Sequence, residues 1–213
     1  MSTRASYQIP WGVAVLSRIS SISGVHGAIP VKIVGQSPIL PDVATVESDF
    51  DIVLAALEER KVRYLVVGGV AVVLYGYARF TADLDLVIAL DPPNVTAAME
   101  ALSSLGYRPR APVAALEFAD PAKRREWIHE KGLIVLGLWS PKHPATEVDV
   151  FVEEPFGIDE ALARATRAQL GASTITVASI PDLIELKRKA GRPKDLDDIE
   201  KLQEILAQER DNV

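Results

Sequence analysis

The chain has 213 residues, 48% of them hydrophobic, a formal net charge of −6 at pH 7 and no cysteine. That length and composition can bury a core as one domain with an extension or as two small ones, and the absence of thiols excludes a disulfide scaffold, a thiolate metal site and a cysteine nucleophile. The acidic balance argues against a broad nucleic-acid surface, and no uninterrupted apolar run reaches the roughly 18 to 20 residues of a membrane span, so a cytoplasmic protein without a membrane anchor is expected.

Residues 1–46 scatter serine, glycine and proline among short apolar pieces, without helical or strand periodicity, and read as a poorly ordered leader. The apolar stretch 11–16 is too short for a secretory signal. From 47 onward Phe50, Val53, Leu54 and Leu57 recur at helical spacing, and 64–67 then form a short apolar strand ending at Gly68-Gly69. A helix over 70–77, a strand over 84–90 closed by Asp91-Pro92-Pro93, and a helix over 93–105 stopped at Gly106 follow. A basic helix is expected over 120–131, with strands at 133–139 and 147–153. Helices at 159–170, 181–190 and 196–206, with a short strand at 174–178, complete the reading. The expected division is a core over 47–156 and a mostly helical C-terminal section over 157–213.

Chemistry concentrates between Gly68 and Asp85. A glycine pair between strand and helix lets backbone approach a ligand closely, and the unpaired N–H groups of a helix start favour phosphate, although the pair could equally serve only as a tight turn. Asp83 and Asp85 stand at i and i+2 of one strand, so their carboxylates share a face and call for a cation. In Glu147-Val148-Asp149-Val150-Phe151-Val152 the valines alternate onto one face and leave Asp149 on the other. If that strand pairs beside the first, three carboxylates can hold two Mg²⁺ ions about 3.5 to 4 Å apart, the arrangement used for nucleotidyl transfer, with Asp149 also able to act as general base. Ile180, Leu183 and Ile184 define an apolar stripe whose next position is Lys187, which either meets a triphosphate or snorkels.

Arg79 and Arg192 are weaker candidates than Lys187, and Arg79, just before the carboxylate strand, could pair with phosphate or with a carboxylate. Lys123, Arg124 and Arg125 read as a solvated helix face, and Asp195, Asp197 and Asp198 as acidic residues favouring the start of a helix whose apolar positions are Leu196, Ile199, Leu202 and Ile205. His26, His129 and His143 show no metal-ligand spacing, and neither a P-loop nor a nucleophile elbow is present.

The pattern G-G…R-x-T-x-D-x-D, here Gly68, Gly69, Arg79, Thr81, Asp83 and Asp85, resembles the first motif of the DNA polymerase beta-like nucleotidyltransferase superfamily. Residues 147–151 resemble its third-carboxylate strand, and Leu183 to Lys187 with Gly191 to Asp198 resemble the C-terminal element of its minimal bacterial members, among them toxins of the AbiEii and MenT types. The resemblance covers about residues 47–206. It implies an α/β (α+β) nucleotidyltransferase fold, a short mixed sheet flanked by helices with a small helical C-terminal section. It also implies Mg²⁺-dependent transfer of a nucleoside monophosphate from a nucleoside triphosphate (NTP) to a hydroxyl of tRNA or protein, with a cognate antitoxin as possible partner.

In that reading Asp83, Asp85 and Asp149 bind metal and carry catalysis, while Gly68, Gly69, Arg79, Thr81 and Lys187 bind the nucleotide. Many members have serine after the first glycine, where this chain has Gly69. Two alternatives stand beside it: an antibiotic-type enzyme with a small-molecule acceptor, and a noncatalytic nucleotide-binding or interaction module of the same fold.

Overall fold

The structure, a computed structural model, describes residues 49–170 and 173–211. The expected leader over 1–46 lies outside the described residues. The first element, α1 (Asp49–Glu59), buries Phe50, Val53, Leu54 and Leu57 along one stripe, as their spacing requires. It leads into β1 (Tyr64–Val67), all four residues of which are buried, and β1 runs directly into α2 (Gly68–Leu74). β2 (Asp83–Ile88) follows, then α3 (Pro92–Ser104), whose start is fixed by two prolines and by Asp91 accepting a hydrogen bond from the Asn94 N–H.

The chain continues through β3 (Arg108–Pro109), a 3₁₀ turn (Ala115–Ala119), α4 (Pro121–Lys131), β4 (Val135–Trp139) and β5 (Glu147–Phe151). Last come α5 (Ile158–Arg164), β6 (Thr166–Leu170), β7 (Ser173–Val177), α6 (Ile180–Ala190) and α7 (Pro193–Asp211).

The strands form one mixed sheet in the order β3-β4-β5-β2-β1-β7-β6. β2 pairs parallel with β5 and antiparallel with β1, and β1 pairs parallel with β7. The core is continuous from α1 through the central strands to Leu183 and Leu202. Along β2 the residues Leu84, Leu86 and Ile88 face that core, and Val87 is buried on the opposite face. Both faces are therefore covered at the end of β2, whereas at its start the second face opens, and Asp83 is exposed and Asp85 half-buried there.

Three local readings change. The helix expected over 159–170 stops at Arg164, because Thr166 to Leu170 pair with Val177 to Ser173 in a hairpin and the Thr166 hydroxyl accepts a hydrogen bond from the buried Tyr75. Residues 157–213 thus supply two strands of the sheet as well as helices. Arg124 is no solvated cation: it is buried and donates to the carbonyls of Phe118 and Leu90, closing the turn before α4. Leu196, expected on the apolar stripe of α7, is 67% exposed, and the buried stripe is Asp195, Asp198 and Leu202. Among the described residues no helix is long and apolar enough to cross a membrane.

Candidate active site

Strand pairing decides where the carboxylates stand. In the parallel pair, Asp83 lies opposite Glu147 and Asp85 opposite Asp149, so residues 64 positions apart share one face of adjacent strands about 4.8 Å apart. On the far side of β5, Gly137 of β4 pairs with Asp149. A Cβ at 137 would lie 3.2 Å from Asp149 Oδ1 and 3.9 Å from the Arg110 side chain, so the glycine leaves room for the carboxylate. Arg110 pairs with Glu147.

Crowding shows in the proton affinities. Burial pushes Asp149 up to about 6, and the charges of Asp85, Asp83 and Glu147 push the same way against Arg110. Burial also raises Asp85, followed by the charge of Asp83, against the Gly69 backbone N–H, Arg192 and Lys187. Asp85 and Asp149, which resist ionisation, stand with Asp83 on one face, and the three oxygen donors fit a hard divalent cation such as Mg²⁺ by chemistry and by register. They do not converge into a closed cluster, since among the described residues no group of three His, Cys, Asp or Glu side chains is arranged to hold a metal ion.

The glycine turn is bound to this face. Gly68 has φ +63°, and a Cβ there would fall 1.8 Å from Asp85 Oδ2, so both the backbone and the space demand glycine. The Gly69 N–H is turned to the Asp85 carboxylate, so the turn helps to position that carboxylate. At Gly69 a Cβ would meet Arg79 Nη2 and Thr81 Oγ1, each at 2.5 Å. The space of the serine side chain found in many similar motifs is therefore filled by a hydroxyl and a guanidinium from the loop before β2.

Lys187 is buried, but not alone. Its Nζ donates to Asp198 Oδ2 at 2.6 Å and to Asp195 Oδ1 at 3.4 Å, while Asp198 Oδ1 lies 3.3 Å from Arg79 Nε. Asp195 keeps the expected place in the first turn of α7, and both it and Asp198 belong in addition to an internal ion network. Their i, i+3 spacing in line with Leu202 was the available signal, and buried carboxylates on that stripe imply buried cations. Gly137, an isolated glycine inside an apolar strand, was the other signal of close approach. His143 stands apart from the site, paired with Asp49 at 2.8 Å and stacked on Tyr107.

No protein-family model matches the chain, and no curated protein matches it. Solved structures do. One is ANT(2″)-Ia in complex with adenylyl-2″-tobramycin, at 16% identity and TM-score 0.51 over 76% of this chain and 89% of that one. Another is the lincosamide antibiotic adenylyltransferase LnuA bound to lincomycin, at 17% identity and TM-score 0.47 over 72% of this chain and 93% of that one. A solution structure of ANT(2″)-Ia matches at 15% identity and TM-score 0.47, over 76% and 90% of the two chains. The mixed α/β architecture described above is a nucleotidyltransferase fold, as its likeness to the tobramycin complex establishes.

Proposed function

We propose that the protein is a nucleotidyltransferase that moves a nucleoside monophosphate from an NTP to a hydroxyl of a small-molecule acceptor. The observation that carries the reading is the register of Asp85 with Asp149, with Asp83 beside them and the Gly68-Gly69 turn against Asp85. Asp83, Asp85 and Asp149 would hold Mg²⁺, which when bound supplies positive charge to the phosphate and acceptor oxygens. Gly68, Gly69, Arg79, Thr81 and Lys187 would hold the triphosphate, its β- and γ-phosphates on the β1 side. The acceptor then approaches from the β4 side, where Gly137 leaves Asp149 uncovered and Trp139 is partly exposed.

The acceptor oxygen attacks the α-phosphorus; the new O–P bond forms as the bond to the bridging oxygen breaks, and pyrophosphate leaves. The hydroxyl proton passes to the Asp149 carboxylate, which stands on the acceptor side of the pair. A small-molecule acceptor is favoured by the adenylyl-tobramycin complex of the similar structure.

The second reading, a cytoplasmic toxin acting on tRNA or protein and held by an antitoxin, is favoured by the likeness of Leu183 to Asp198 to such proteins. Incubation of purified protein with α-labelled NTPs, Mg²⁺ and either aminoglycosides and lincosamides or total tRNA separates the two. Label on a drug is the expected outcome; label confined to tRNA would replace the first reading with the second.

A further inference from the structure

Asp198 is 1% exposed and touches two cations from different elements, Lys187 of α6 through Oδ2 and Arg79 of the loop before β2 through Oδ1. Arg79 in turn lays Nη2 against Gly69. One buried carboxylate on α7 thereby sets the place of the two side-chain cations that flank the glycine turn. The network is incomplete as it stands: Arg79 Nε and Asp195 Oδ2 are buried without a hydrogen-bond partner among the described residues, and Arg192 reaches Asp195 only at 3.8 Å. Lys187 uses two of its three donors and Arg79 keeps its Nη groups, so both retain capacity for an anion.

A buried ion cluster contributes little net stability against apolar packing of the same volume, so tying α7 to the core does not require one. Fixing the direction of two cations does.

We propose that Asp198 is a positioning residue that aims Arg79 and Lys187 at the triphosphate of the bound NTP, making α7 a structural part of the nucleotide seat. This rests on the nucleotidyltransferase reading and extends it to a residue outside the motif strands. Charge alone predicts the opposite sign, since removing a carboxylate beside a phosphate site strengthens anion binding. The experiment measures binding of ATP, CTP, GTP and UTP with Mg²⁺ to the full chain by calorimetry, for wild type, Asp198→Asn, Arg79→Lys and the double variant.

Positioning predicts that Asp198→Asn binds the preferred NTP at least about tenfold more weakly, and that the double variant is no weaker than the weaker single one, because both changes break one unit. Equal or tighter binding by a folded Asp198→Asn protein overturns the proposal. If that variant fails to fold, Arg79→Lys decides: it keeps the charge and loses the Nε contact, so about tenfold weaker binding supports positioning and unchanged binding overturns it. A wild-type protein that binds none of the four NTPs removes the nucleotidyltransferase reading and this proposal together.

Discussion

Asp149 shows how a residue of the candidate site costs the fold something. An ordinary aspartate titrates near about 4 in an unfolded chain, whereas Asp149 holds its proton up to about 6 because burial and three neighbouring carboxylates oppose its ionisation. Between those values the folded state binds more protons than the unfolded one, so this residue's contribution to stability falls as pH rises from about 4 to about 6. Asp149→Asn removes the penalty. In EDTA it should be more stable than wild type at pH 7 by about 1 kcal/mol, since solvent screens a partly exposed carboxylate, with the difference shrinking toward zero by about pH 4. Urea denaturation at both pH values checks this, and equal stability at pH 7 would contradict the crowding. A gain in stability where function is lost is the mark of a strained site.

At the scale of elements, α7 is the least obvious part of the molecule, packed chiefly on α6 and tied by Asp198 to Lys187 and Arg79. Leu202 is fully buried and seats the helix on the core, so Leu202→Ala should lower stability by about 2–5 kcal/mol in the same measurement. Most elements were legible because their residues obey one period: the four apolar residues of β1, the stripe of α1 and the alternation of β5 each name their own conformation. β6 was not legible. Its sequence Thr166-Arg167-Ala168-Gln169-Leu170 carries little hydrophobic alternation, being an edge strand, and becomes a strand only through β7. On α7 the apolar residue Leu196 misled, since the buried face begins with two aspartates whose partners lie on other elements, whereas Ile199 packs against the core.

For the whole molecule, the chemistry of the candidate site was legible and its geometry was not. Asp83-x-Asp85 after a glycine turn implies carboxylates on one face whatever the tertiary fold. That Asp149 stands in register with Asp85 depends on a parallel pairing of β2 with β5 across α3, β3, α4 and β4, which no local pattern encodes. Nor does local pattern show that the loop carrying Arg79 and Thr81 fills the space beside Gly69 while α7 grips the same arginine. The sheet order brings β1, β2 and β5 side by side, and with them the glycine turn, the carboxylate pair and the third carboxylate.

Transfer of label from an α-labelled NTP in the presence of Mg²⁺, compared between wild type and the Asp83→Ala, Asp85→Ala double variant, tests the central claim most directly. Labelled product from wild type, reduced by about a thousandfold or more in a folded double variant, is the predicted result, as expected when a metal-binding pair is removed from a transfer reaction. Undiminished transfer by that variant would contradict it.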